Sequence, residues 1–93
     1  MYEISTSSRF KKDFKRLARS GRFDIEHFHK IVNHLAANKK LSAKYRDHQL
    51  KGDHKKFREC HLEPDLLLIY SKDEEVLTLL LFRMGSHSEL FGK

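Results

Sequence analysis

Phe57-Arg58-Glu59-Cys60-His61-Leu62-Glu63-Pro64-Asp65-Leu66-Leu67-Leu68-Ile69-Tyr70-Ser71 decides the fold. It holds two candidate strands, 57–62 and 66–71, separated by Glu63-Pro64-Asp65, a turn of hairpin length. Proline supplies no N–H to a ladder and locks its own φ, so the chain turns at Pro64. A third candidate strand, 76–82, follows the polar segment Lys72 to Glu75, again short enough for a hairpin. Residues 66–69 and 77–81 are apolar at both parities, which predicts central strands covered on both faces. His61 has the parity opposite to Cys60 and Leu62 and is expected to point away from their side of the strand.

Upstream, residues 2–6 alternate and make a short strand candidate, and Ser7 or Ser8 can cap a helix over 9–19. Phe10, Phe14 and Leu17 form its apolar side, while Lys11, Lys12, Lys15, Arg16 and Arg19 gather opposite, with Asp13 at the boundary. Gly21 interrupts, Asp24 can cap again, and Ile25, Phe28, Ile31, Val32 and Leu35 mark a second helix reaching Asn38. His27 and His34 share one side of it but stand about 10 Å apart along the axis, too far for one metal, so both are expected as surface histidines. From 41 to 56 the periodicity disappears, leaving a long basic loop that includes Lys51, Lys55 and Lys56. Gly85 should end the last strand, with 86–93 a short tail or helical turn. The element order is β-α-α-β-β-β: an α+β fold with an antiparallel sheet and both helices on one face.

Ninety-three residues suit a single domain spanning 1–93, with 39% hydrophobic residues against 34% charged. The longest apolar run, 76–82, is far below the ~20 residues of a spanning helix, so no membrane association is expected. Residues 1–9 lack the apolar core of a secretory signal and the single Cys60 cannot form an internal disulfide, which points to the cytoplasm. One cysteine and scattered histidines disfavour zinc, and no metal or cofactor is expected. A net charge of +6 favours a polyanionic partner, nucleic acid or an acidic protein segment.

Metal-free cleavage of RNA needs a base for the 2′-hydroxyl, an acid for the leaving 5′-oxygen and positive charge on the phosphorane. His48, His61, Asp65, Arg83 and His87 all fall in loops or at strand ends, where hairpins can gather them. Composition and spacing leave two classes open, a histidine-based ribonuclease and a basic binding module. Arg83 could instead pair with Glu89 or Asp65, Phe91 could plug the core, and Cys60 is a small buried hydrophobe with no sign of nucleophile activation.

Asp47-His48-Gln49-Leu50-Lys51-Gly52, then 57–70 as quoted, then Arg83-Met84-Gly85-Ser86-His87-Ser88-Glu89-Leu90-Phe91 together resemble the YafQ family of RelE-like bacterial toxins. The resemblance implies a microbial-ribonuclease-like fold and a type II toxin: an endoribonuclease that cuts mRNA in the ribosomal decoding site. It also implies neutralisation by a cognate antitoxin of the DinJ type, whose acidic segment covers the basic surface. Residue by residue, it implies catalytic roles for His48, His61 and His87, with Asp65 orienting a histidine, Arg83 on the phosphate and Phe91 stacking on a base. Lys11, Lys12, Lys15, Arg16, Arg19, Lys51, Lys55, Lys56 and Arg58 become the expected contacts to mRNA and ribosomal RNA. Two family tryptophans are replaced, by Leu66 and by His54, which bears on substrate preference. A ribosome-independent ribonuclease and a non-catalytic toxin are the competing readings.

Overall fold

A computed structural model describes residues 1–92; of the C-terminal tail, Lys93 lies outside the described residues. The elements are β1 (Glu3–Thr6), α1 (Ser8–Arg19), α2 (Ile25–Ala36), β2 (His48–Gln49), β3 (Arg58–Glu63), β4 (Leu66–Asp73), β5 (Thr78–Gly85) and α3 (His87–Phe91). Both long helices start at side-chain caps: Ser7 Oγ accepts from the Phe10 amide and the Asp24 carboxylate from the His27 amide.

The strands form one sheet in the order β1-β5-β4-β3-β2. β3, β4 and β5 pair antiparallel through their hairpins as expected, but β1 runs parallel to β5, with Ile4 opposite Leu79. The sheet is therefore mixed, which corrects the expectation of a wholly antiparallel one. Hairpins enforce antiparallel pairing; β1 and β5 share none, so the helices that cross between β1 and the rest set the direction.

Two other expectations change. The 41–56 segment is not a plain loop: it contains 3₁₀ turns at Ala43–Tyr45 and Gly52–His54, and between them β2, which adds to the sheet with His48 opposite Glu59. Its anchor is Asp47, whose carboxylate accepts from the Tyr70 hydroxyl and from Arg58 Nε, contacts with no local periodicity to betray them. The last strand begins at Thr78 rather than Val76. Asp73 accepts from the amides of Glu75 and Val76, Leu77 adopts φ +47°, and both apolar side chains are left in solvent.

Phe10, Phe28, Ile31, Val32 and Leu35 pack on Cys60, Leu62, Leu68, Tyr70, Leu79, Leu81 and Met84, so α1 and α2 cover one face of the sheet. On the other face Leu67 and Ile69 are buried and the Phe57 and Phe82 rings stack at 4.4 Å. β4 is the middle strand, which explains its unbroken burial from Leu67 to Tyr70. Ile69 pairs with Arg83 but Tyr70 with Leu81, leaving Phe82 as an extra residue; this bulge re-aims the end of β5. Among the described residues no helix is long and apolar enough to cross a membrane.

Candidate active site

The site is organised by a residue that sequence reasoning passed over. Glu59 precedes His61 by two positions on β3, which puts both on one face, and it sits opposite His48 on β2. Its carboxylate is buried, and Oε1 lies 3.5 Å from Nε2 of both His48 and His61. A buried carboxylate with no partner is strongly destabilising, so the two imidazoles satisfy it and are oriented by it in return. His48 is fixed from its other side as well, because Nδ1 donates to the Arg46 carbonyl at 2.6 Å. The alternating parity of Glu59 and His61 was the available signal.

His87 opens α3, whose start is set by a capping box in which Ser86 Oγ accepts from the Glu89 amide and the Glu89 carboxylate from the Ser86 amide. The His87 ring faces His61 with centroids 5.9 Å apart, and Phe91, one turn further on, lies 6.1 Å from it. In the β3–β4 turn Asp65 accepts from the His87 amide at 3.4 Å and stands 3.9 Å from Nδ1. Phe91 is 42% exposed, so it does not plug the core. His48, Glu59, His61, Asp65, His87 and Phe91 thus come together from four separate segments.

Arg83 pairs with Asp13, not with Glu89 or Asp65. Nε and Nη2 donate to the two carboxylate oxygens at 2.8 and 3.2 Å, and the Met84 amide donates to Oδ2 at 3.0 Å. Asp13 is 3% exposed; it belongs to the interior, not to the boundary of a basic helix face. Burial alone would raise its pKa, but the hydrogen bonds from Arg83, the Met84 amide and Arg16 outweigh that and hold it below the ordinary value. The same pair raises Arg83. Two of the five guanidinium N–H groups are used, which leaves three for a phosphate.

Lys11, Lys12, Lys15 and Arg19 on α1 and Lys51, Lys55 and Lys56 around the second 3₁₀ turn are exposed, as is His54. Two expected members of that surface are engaged: Arg16 pairs with Asp13 and with Glu89, each at 3.2 Å, and Arg58 pairs with Asp47 at 3.3 Å. His27 is not a free surface histidine either, since Nε2 donates to the Leu62 carbonyl at 3.2 Å. Cys60 is fully buried and its thiol is pushed up to about 12 by burial, which fits an inert core residue.

A family model described as the YafQ bacterial toxin of type II toxin–antitoxin systems matches residues 2–92. The mRNA interferase toxin YafQ of Escherichia coli (strain K12) is 36% identical over 91 residues, covering 97% of this chain and 96% of that protein. A metal-bound toxin from Helicobacter pylori superposes with a TM-score of 0.92 at 53% identity, over 98% of this chain and 100% of that one. The toxin in the Escherichia coli DinJ–YafQ complex gives 0.86 at 35% identity, over 99% and 100%. In this chain the Nε2 atoms of His48 and His61 converge on one carboxylate oxygen, and among the described residues no group of three or more His, Cys, Asp or Glu side chains is placed to hold a metal ion. With the match running from the first strand to the last helix, the chain belongs to the YafQ family of type II toxin–antitoxin toxins.

Proposed function

We propose that this single-domain toxin cuts mRNA in the decoding site of the translating ribosome, by metal-independent transfer of protons between RNA and its histidines. The observation that carries the proposal is the proximity of the His61 and His87 rings, one 3.5 Å from buried Glu59 and the other with Nδ1 3.9 Å from Asp65, which also accepts from the His87 amide. Rings 5.9 Å apart can both reach the oxygens of one phosphate. A base takes the proton of the 2′-hydroxyl, O2′ bonds to phosphorus, and the P–O5′ bond breaks as an acid protonates O5′. The products are a 2′,3′-cyclic phosphate and a 5′-hydroxyl. His61 and His87 share these two transfers, and His48 supports the phosphate beside Glu59. The free N–H groups of Arg83 neutralise the phosphorane and Phe91 stacks on a neighbouring base.

The exposed lysines of α1 and of the 51–56 turn engage ribosomal RNA and message. In the bacterial cytoplasm an antitoxin of the DinJ kind silences the site, its acidic segment complementing the +6 charge. The test maps new mRNA 5′ ends in a translating bacterial extract with wild type, His87→Ala and Arg83→Ala, and in a matched sample without ribosomes. Cuts in register with codons that need ribosomes and fade in both variants are expected. Cuts on naked RNA, or arrested translation without any cuts, would refute the proposal.

A further inference from the structure

We propose that the cleft between the Ala43–Tyr45 turn, α2 and the end of β3 is a subsite for one unpaired base of the message flanking the cut, selective for bases bearing an exocyclic amine. The inference rests on cleavage at His61 and His87 as described above. The cleft has a volume of about 410 Å³ and opens where the β2 ladder stops at Glu59. The Leu62 carbonyl next to it is already satisfied by His27, so the walls are side chains rather than a bare strand edge waiting for another strand.

Three features identify the ligand chemistry. His61 belongs both to the catalytic cluster and to the wall of the cleft, so whatever fills the cleft is adjacent to the reacting phosphate. Tyr45 is half-buried, backed by the His27 ring at 5.8 Å, with Lys44 Nζ 5.2 Å from its ring centre and Arg46 beside it. An aromatic platform with two cations is the usual receptor for a base and its phosphates. Glu63 is the one acidic residue in the lining; its carboxylate accepts hydrogen bonds only, so it favours the amine of adenine, cytosine or guanine over uracil, whose single N3–H lies between two carbonyl oxygens that the carboxylate repels. The subsite is also coupled to catalysis: Arg46 lines the cleft, and its carbonyl accepts from His48 Nδ1.

The experiment compares wild type, Tyr45→Leu, Arg46→Asn, Glu63→Gln and His87→Ala by mapping 5′ ends in translating extract at limiting toxin, with melting curves and antitoxin affinity measured alongside. Leucine keeps the apolar packing of Tyr45 without the ring, and asparagine tolerates the left-handed backbone at Arg46 (φ +49°), so both variants should fold. The expected result is a loss of cleavage of about tenfold for Tyr45→Leu, less for Arg46→Asn. Glu63→Gln should redistribute cuts toward uracil at one fixed position beside the scissile bond, and antitoxin binding should be unchanged. Wild-type cut patterns and rates in folded Tyr45→Leu and Glu63→Gln would overturn the subsite alone, as would lost antitoxin affinity with unaltered cleavage, which would mark the cleft as a protein contact. No cuts by wild type would overturn both the subsite and the catalytic proposal beneath it.

Discussion

Replacing Asp13 by asparagine tests how α1 holds the end of β5. In the native protein the carboxylate accepts two hydrogen bonds from Arg83, one from the Met84 amide and one from Arg16. Asparagine keeps the shape and one acceptor oxygen but removes the charge, and it turns a donor toward a guanidinium. A buried donor that loses its acceptor costs about 1–3 kcal/mol, and a charge-assisted bond contributes roughly 1.5–3. Arg16 is 45% exposed and regains water, so it adds little. The expected destabilisation is about 2–3 kcal/mol, or a Tm lower by roughly 10–20 °C for a domain of this size. Because the folded pKa of Asp13 lies below its ordinary 3.8, the stabilisation is complete above that pH and is lost as pH falls through the folded value. Urea titrations of both proteins from pH 7 to 2.5 should show a constant gap down to about pH 4 that then narrows, with unchanged m-values. A gap below about 0.5 kcal/mol at pH 7, or one that persists undiminished at pH 2.5, would refute the role assigned to this carboxylate.

Glu59→Gln should slow single-turnover cleavage by about 10–100-fold, with His48 and His61 no longer held by a charge; a rate within threefold of wild type would contradict the shared-carboxylate geometry. Phe91→Leu should raise the apparent KM about tenfold while leaving Tm nearly unchanged, because the ring is partly in solvent beside His87 and leucine keeps most of its apolar packing; a fall in Tm without a KM effect would make Phe91 a packing residue. Folded protein treated with iodoacetamide at pH 8 should stay unlabelled at Cys60 while denatured protein labels fully, as a buried thiol raised to about 12 requires. Rapid native labelling, followed by mass spectrometry, would show that β3 opens.

The two carboxylates divide the work of the site. Glu59 gathers histidines from β2 and β3, whereas Asp13 ties Arg83 to a helix on the far side of β5. Arg16 extends the second network to Glu89, which also caps α3 and so sets where His87 stands. A change on α1 can therefore reach the segment that carries His87 through a chain of ion pairs.

Local patterning carried most of the architecture. Alternation and the Pro64 turn announced the β3–β4 hairpin, the caps at Ser7 and Asp24 opened the helices where they were expected, and the three blocks around 47–52, 57–70 and 83–91 pointed to the toxin family. These signals are legible because each depends on residues a few positions apart, within reach of one turn or one strand pair. The parallel direction of β1, the short β2 inside the 41–56 segment, the late start of β5 and the partners of Glu59 and Asp13 depend on residues far apart in the chain. An acid in a basic helix and an acid in a strand look like surface residues until the fold buries them. Burial is a property of the assembled layers, and it alone decided that Asp13 would claim Arg83 and that Glu59 would bind two histidines.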